Sequence, residues 1–241
     1  MGKLVAFIGP PGSGKTSVAI KTSIEVYCST KSNKVAFLSP DLIVPSLGLL
    51  FPNYAPEDLK SLGQLFDRTE VSKEALLEAA VTVKGLPDLL CFGFKTDDSK
   101  STFPEPIPSK LDDLFSVLRR TMEYIFVDCS IDPSDVISNY AAQTADVIVR
   151  IIPADLKGMT WYATNKHLYG SDNRNTCNVV NITARDLYLP TEEICTKLQS
   201  VTTVLPYSKM LKQHMLEGRL YERLKDRTYT RELNKLKKHL M

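Results

Sequence analysis

The chain has 241 residues, of which 43% are hydrophobic and 24% are charged, and its formal net charge is +2. This composition is typical of a folded globular protein and excludes both a strongly basic nucleic-acid-binding chain and an acidic disordered one. The cysteines are scattered without a C-x-x-C pair, which argues against a zinc knuckle or a disulfide framework and indicates a cytoplasmic protein.

Short apolar, β-branched runs alternate with helical patterns along the chain. Continuous apolar strands that alternate with helices predict an α/β fold, with a mostly parallel sheet covered by helices on both faces. No internal repeat and no linker stands out, so residues 1–241 are predicted to form a single domain. The predicted strands are Leu4–Ile8, Val35–Leu38, Leu89–Phe94, Tyr124–Val127, Val147–Ile152, Cys177–Ile182 and Val201–Leu205.

Apolar residues at helical spacing predict the main helices, and a polar, proline-rich stretch from Lys95 to Pro108 is predicted to be a surface loop. The C-terminal segment, residues 208–241, is predicted to form one or two amphipathic helices. The other predicted helices include Ser17–Ser29, Pro56–Phe66, Ser72–Val83 and Ser109–Thr121.

A glycine-rich motif follows the first predicted strand and opens the first predicted helix. It matches G-x-x-x-x-G-K-[ST], and this strand–loop–helix context is the one in which such a loop binds phosphate. Glycines let backbone N–H groups turn toward phosphate oxygens, and the helix N-terminus favours the same anion. Lys15 is predicted to reach the β- and γ-phosphates, and the Thr16 hydroxyl to hold Mg²⁺. The predicted nucleotide-binding residues are Gly9, Pro10, Pro11, Gly12, Ser13, Gly14, Lys15, Thr16 and Ser17.

Two carboxylates follow predicted strands. Tyr124–Val127 ends in Asp128, the pattern of a Walker B strand that presents one carboxylate beside the phosphate loop to bind Mg²⁺. Val35–Leu38 is followed by Asp41, which is predicted to bind the metal's water shell or to orient an attacking water. Lys15 and Asp41 are the predicted catalytic residues. A turn-forming aspartate is the alternative for both positions.

In their order along nearly the whole chain, these segments resemble the ParA/MinD family of P-loop ATPases, which includes chromosome-partition, septum-placement and pilus-assembly (CpaE/TadZ-like) ATPases. Val35–Phe51 is similar to the family's second strand and switch region, with Asp41 at the second position of a D-x-D pattern. The resemblance implies a three-layer P-loop NTPase fold and binding of ATP and Mg²⁺. It also implies that Asn181 reads adenine and that Pro206 packs on the base.

The chain departs from the family pattern at two positions. The family loop is usually K-G-G-x-G-K-[ST], and its first lysine reaches across a nucleotide-sandwich dimer to the partner's ATP. Pro10 stands at that lysine's position, and Ser39 stands where the first aspartate of D-x-D is expected. Since a trans-acting cation is worth roughly 10³–10⁵ in rate in related chemistry, the resemblance implies slow hydrolysis unless another residue substitutes.

Three functions stay open on this evidence. The first is an ATP-dependent switch in partition-like or pilus-assembly-like organisation, with an ATP-dependent homodimer and a protein partner. The second is a nucleotide or small-molecule kinase. Such a kinase needs a lid rich in arginine, and the only arginines between Lys15 and Asp128 are Arg68, Arg119 and Arg120. The third is a non-hydrolysing scaffold of the same fold.

The C-terminal segment carries most of the positive charge. From Tyr207 onward there are ten Lys/Arg against four Asp/Glu, while the preceding residues have a net charge of −4. A basic amphipathic helix is expected to pack on the sheet, with peripheral contact to an anionic membrane as the alternative. Salt-sensitive contact with DNA is the third interpretation.

Overall fold

A computed structural model describes residues 1–29, 34–168, 175–185, 189–198 and 200–241. The strands of these residues form one sheet in the order β3-β4-β2-β5-β1-β6-β7-β8. Their bounds are β1 (Lys3–Ile8), β2 (Val35–Ser39), β3 (Val81–Val83), β4 (Leu86–Gly93), β5 (Tyr124–Asp128), β6 (Val147–Pro153), β7 (Asn175–Asn181) and β8 (Val201–Leu205).

The pairing confirms the predicted α/β architecture. All neighbouring strands are parallel except β3 and β4, which are antiparallel. The first strand is central, between β5 and β6. Because the parallel strands point the same way, the loops after β1, β2, β5, β6 and β7 all lie at one edge of the sheet, where ligands bind in open α/β sheets.

Helices cover both faces of the sheet. The helices α1 and α10 bury one face around Phe7, Phe37 and Phe126, whereas α4 to α8 bury the other. The helix bounds are α1 (Lys15–Tyr27), α2 (Leu47–Leu50), α3 (Gly63–Phe66), α4 (Lys73–Glu78), α5 (Pro108–Thr121), α6 (Val136–Thr144), α7 (Leu156–Asn165), α8 (Thr191–Lys197), α9 (Lys209–Leu216) and α10 (Arg227–Leu240).

Aspartate caps fix two loops at the edge of the sheet where the parallel strands end, which is called the ligand edge below. Asp135 follows β5 and accepts from the Ser138 N–H at the start of α6, and Asp155 follows β6 and accepts from the Gly158 N–H at the start of α7. Each cap satisfies a backbone donor that the first turn of a helix leaves unpaired. The two loops therefore have defined conformations beside β1.

Two helix predictions in the first half are wrong. Only Gly63–Phe66 of the segment Pro56–Phe66 is helical, because the chain instead runs along the sheet edge, where the Leu62 N–H donates to the Gly93 carbonyl at 2.7 Å. The helix predicted for Ser72–Val83 ends at Glu78, and its β-branched end forms β3. Gly85 adopts a left-handed φ of 81° in the β3–β4 hairpin, which a helical pattern does not anticipate.

The C-terminal segment contains two helices, α9 and α10. The apolar side of α10 is buried against the sheet through Tyr229, Leu233, Leu236 and Leu240. No helix within the described ranges is long and apolar enough to cross a bilayer. All five cysteines are free thiols, and Cys91, Cys129 and Cys177 are buried.

Candidate nucleotide-binding site

The glycine-rich loop has a backbone that only glycine tolerates at two positions. Gly12 and Gly14 have φ angles of 78° and 79°, in the left-handed region where a Cβ is strained. The Ser13 N–H donates to the Pro10 carbonyl at 3.2 Å and closes the turn. Since the N-cap of α1 is Gly14, no side chain caps the first turn of this helix, and its N–H groups are left for an anion.

Lys15 lies between the phosphate loop and the end of β5. Its Nζ is 2.6 Å from Asp128 Oδ1 and also donates to the Cys129 carbonyl. Both side chains are buried, with 11% and 4% of their surfaces exposed. The other carboxylate oxygen of Asp128 accepts from Ser39 Oγ at 3.4 Å. The structure therefore brings Lys15 and Asp128 together, as the motif spacing predicts.

Asn181 holds the loop from the other side. Its Nδ2 donates to the Ser13 carbonyl at 2.7 Å, and the side chain is almost fully buried. A Cβ on Gly14 would lie 2.5 Å from this nitrogen. The close approach of β7 to the loop therefore requires glycine at position 14.

A cleft of about 270 Å³ continues from the loop toward the C-terminal segment. Its lining includes Gly12, Gly14 and Ser17 of the loop and first helix, together with Asn181, Pro206 and Tyr207. The Arg185 guanidinium lies 6.0 Å from the centre of the Tyr207 ring, a cation–π distance that steadies this wall. The cleft therefore joins the phosphate loop to the two residues expected to contact a base.

The site fits a magnesium-bound nucleotide. The positive-φ glycines and the uncapped helix form a cradle for phosphates, and the buried Ser13 Oγ has no partner among the described residues. Mg²⁺ is commonly held by one or two protein oxygens together with substrate phosphates, and Thr16 and Asp128 are the residues predicted to supply these oxygens. Burial raises the pKa of the Cys129 thiol to about 12, so this cysteine stays protonated beside the site.

No protein-family model matches the chain, and no curated protein matches it by sequence. Solved structures do match. The septum site-determining protein MinD of Pyrococcus horikoshii, complexed with Mg-ADP, gives a TM-score of 0.76 at 15% identity over 98% of this chain and 95% of that one. A ParA family ATPase of Chlorobium tepidum gives 0.75 at 14% identity over 100% and 99%. The cell division ATPase MinD of Pyrococcus furiosus gives 0.73 at 17% identity over 99% and 98%.

The chain has the ParA/MinD-type P-loop fold. This likeness extends over nearly the full length of both chains in each comparison, and it confirms the fold class that the sequence predicts.

Within this fold, Asp41 makes local contacts. Its Oδ1 accepts from the N–H groups of Ile43 and Val44 at 2.8 and 3.0 Å, which is the turn-forming alternative for this residue. Burial raises the pKa of Asp135, and the nearby carboxylates of Asp41 and Asp132 raise it further. The roles of Asp41 in catalysis and metal binding stay predictions.

Several residues of the cleft lie in the C-terminal segment and carry no sequence motif. Leu211, Lys212 and Met215 of α9 and Tyr229 of α10 form the far wall of the cleft. Their helical spacing predicts burial but gives no sign of which helix faces the loop, because that depends on how β8 and α9 are connected in space. The turn Leu205–Tyr207, which precedes α9, is the nearest available signal.

A buried lysine anchors this wall to the phosphate-loop helix. Lys21 of α1 donates to the carbonyls of Leu220 and Glu222 at 2.8 and 2.5 Å, and its Nζ is 3.1 Å from His214 Nδ1. Burial lowers the pKa of Lys21 to about 7, and burial also lowers the pKa of His214, together with the charge of Lys21. The position of α9 is therefore tied to α1.

Proposed function

We propose that this protein binds Mg²⁺-ATP in the described cleft and acts as a nucleotide-dependent switch in the assembly or spatial organisation of a cellular structure. The observation that carries the proposal is the buried Lys15–Asp128 pair at the mouth of a phosphate loop that opens into a base-sized cleft. The ParA/MinD-type fold supports it, since the solved structures of similar fold are named as a cell division ATPase, a septum site-determining protein complexed with Mg-ADP and a ParA family ATPase.

Each residue has a defined task in this proposal. The backbone N–H groups of residues 12–16 hold the phosphates, and Lys15 exchanges Asp128 for phosphate oxygens. Thr16 and Asp128 hold Mg²⁺, whose charge neutralises the phosphates. Asn181 and Pro206 position the base, and Asp41 orients the attacking water or the metal's water shell.

The proposed hydrolysis is slow. Pro10 offers no cation to a partner subunit, and Ser39 offers a hydroxyl where the family has a carboxylate. The same two residues favour a second candidate function, a non-hydrolysing scaffold that responds only to nucleotide binding. The two differ in turnover, which a sensitive phosphate-release assay at saturating Mg²⁺-ATP measures.

A second copy of the chain is the proposed partner at the ligand edge. Large apolar side chains are 50% to 72% exposed in the loops after β2 and β5 and at the start of α7, close to the phosphate loop: Ile43, Val44, Ile131 and Leu156. Exposed apolar groups concentrated on one face are typical of an interaction surface. An ATP-dependent dimer would bury them over the nucleotide.

The basic side of α10 is the proposed contact with an anionic partner. Arg227, Arg231, Lys235 and Lys238 line an open groove, whereas the apolar side of the same helix is buried. Because no apolar stripe is left for insertion into lipid, DNA is favoured over a membrane at this groove. Loss of each phosphate-contacting cation should reduce the salt dependence of duplex binding by about one unit of log–log slope.

The direct test is nucleotide binding, measured by anisotropy of a fluorescent ATP analogue in the presence of Mg²⁺. Lys15→Ala should abolish binding, and Lys73→Ala, which removes an exposed lysine of α4, should leave it unchanged. Equal affinity in wild type and Lys15→Ala would remove the assignment of the site. Transfer of phosphate from ATP to a panel of nucleotides and small hydroxyl compounds would instead establish the kinase alternative.

A further inference from the structure

The proline-rich segment 95–107, called the strap below, is a built part of the ligand edge. The Asp98 carboxylate is buried and accepts from the Lys95 N–H at 2.6 Å and from Ser61 Oγ at 2.7 Å. The Phe103 ring packs directly on Gly63, where a Cβ would come within 2.2 Å of it. The strap is therefore held at both ends of its course.

A lysine connects the strap to the loop after β5. Lys100 Nζ lies 3.0 Å from Asp132 Oδ2 and donates to Ser134 Oγ at 2.7 Å. Asp132 also accepts from the Ser134 N–H, so its carboxylate is fixed on both sides. The strap and this loop together enclose a space between them.

That space is a partly enclosed cavity of about 190 Å³. Its walls are mostly apolar and aromatic: Leu42, Phe66, Phe94, Phe103, Val136 and Ile137. It is smaller than the range of roughly 300–1,000 Å³ that is usual for small-molecule and cofactor sites. It has instead the size and lining of a pocket for one large side chain, the kind of pocket that receives an anchor residue at protein interfaces.

The charged side chains around the cavity indicate which kind of residue would lie next to the bound aromatic side chain. Glu105, Asp132, Asp135 and Lys100 also line the cavity. Lys100 pairs with Asp132 and Asp135 caps α6, so exposed Glu105 is the carboxylate that most directly gives the entrance its negative charge. We propose that this cavity binds one aromatic side chain of a partner protein whose neighbouring residue is basic. The proposal goes beyond nucleotide binding and does not depend on it, because the cavity is formed by the strap and α6 rather than by the phosphate loop.

The location gives such a contact access to the switch elements. Leu42 directly follows Asp41, and Asp132 belongs to the loop that continues from Asp128. An anchor in the cavity therefore touches both loops at the ligand edge. Nothing in the phosphate loop has to move for the anchor to enter.

The experiment uses the full chain and three capped dipeptides, acetyl-Arg-Phe-amide, acetyl-Glu-Phe-amide and acetyl-Arg-Ala-amide. Binding is followed by amide chemical shifts of ¹⁵N-labelled protein without nucleotide. The first peptide should bind with a dissociation constant on the order of millimolar. It should shift the amide signals of Leu42, Phe103 and Val136. The glutamate peptide should bind about fivefold more weakly, and the alanine peptide should not bind.

Two variants assign the site. Val136→Trp places an indole in the cavity and should abolish binding of acetyl-Arg-Phe-amide, provided that its thermal unfolding remains cooperative. Glu105→Gln changes only an exposed charge at the cavity entrance. It should weaken the binding of acetyl-Arg-Phe-amide and leave the binding of acetyl-Glu-Phe-amide unchanged or stronger. Glu193→Gln on α8, beyond the opposite end of the sheet, is the matched control and should change neither.

Equal binding of the arginine and glutamate peptides, or unchanged binding in Glu105→Gln, would overturn the proposed basic neighbour. Absence of shifts with acetyl-Arg-Phe-amide, or shifts confined to other residues, would overturn the site itself. Neither result would bear on ATP binding, so a failure here is separable from a failure of the proposed function.

Discussion

Gly14→Ala and Gly12→Ala form a matched pair of substitutions in the phosphate loop. Both glycines have left-handed backbones, with φ angles of 79° and 78°, so alanine at either position costs about 1–2 kcal/mol of backbone strain. Nothing lies within 4 Å of a Cβ at Gly12, whereas a Cβ at Gly14 would lie 2.5 Å from Asn181 Nδ2. The two variants therefore differ in one contact.

That contact sets the expected difference. The Asn181 amide must move away from the Gly14→Ala methyl group and lose its hydrogen bond to the Ser13 carbonyl, which leaves a buried acceptor unpaired at a cost of about 1–3 kcal/mol. Gly14→Ala should therefore destabilise the protein by about 2–5 kcal/mol in total. Gly12→Ala should cost only the strain.

The assay is urea unfolding in the absence of nucleotide, combined with a double-mutant cycle. In an Asn181→Ala background the clash is absent, since the nearest remaining atom given for this position, Thr183 Cγ2, lies 3.8 Å from the added Cβ. Gly14→Ala should then cost no more than Gly12→Ala. Equal costs of the two glycine variants in the wild-type background, or an unchanged cost of Gly14→Ala in the Asn181→Ala background, would refute the packing of β7 on the loop.

Three other predictions follow from the site and its supports. Lys15→Met and Asp128→Asn should each destabilise the nucleotide-free protein. The lysine change should cost about 3 kcal/mol because it leaves a buried carboxylate without its ion pair. In urea unfolding, the double variant should lose much less stability than the sum of the two single variants, and additive losses would contradict the pairing. Burial lowers the pKa of Lys21 from 10.5 to about 7, so the unfolded chain binds more protons above pH 7 and stability should rise with pH. Compared with Lys21→Met, the wild type should gain up to about 1.4 kcal/mol per pH unit between pH 7 and the onset of cysteine ionisation near pH 8.5, whereas parallel curves would show that Lys21 does not titrate there. Asp41→Ala should lower steady-state ATP turnover more than ATP affinity, and equal turnover in variant and wild type would remove Asp41 from the mechanism.

The parts of the fold that the sequence predicts are those with a local signature. The strands β1, β2, β5 and β6 are largely apolar runs, and β7 and β8 contain β-branched residues among polar ones. The phosphate loop is a fixed spacing of glycines, lysine and threonine. These patterns place Lys15 and Asp128 at the same edge of the sheet, and their contact then depends on the pairing of β1 with β5. The edge strand β3 was missed because Val81–Val83 is short and continues a helical pattern.

The rest of the site depends on contacts between distant segments. Asn181 is predicted as a base contact, but its hydrogen bond to Ser13 is visible only when β7 and the loop are brought together. The walls supplied by Leu211 and Met215 depend on the position of α9, which Lys21 holds through His214 of that helix and through the Leu220 and Glu222 carbonyls of the segment that follows it. The cavity under the strap likewise depends on Lys100 reaching Asp132, and no spacing in the sequence encodes that pair.

The measurement that tests the central claim most directly is the solution mass of the protein by light scattering in Mg²⁺-ATP and in Mg²⁺-ADP. A nucleotide-dependent switch predicts a monomer with ADP and a dimer with ATP, and Lys15→Ala should remain a monomer in both. A mass that does not change with the nucleotide would contradict the switch.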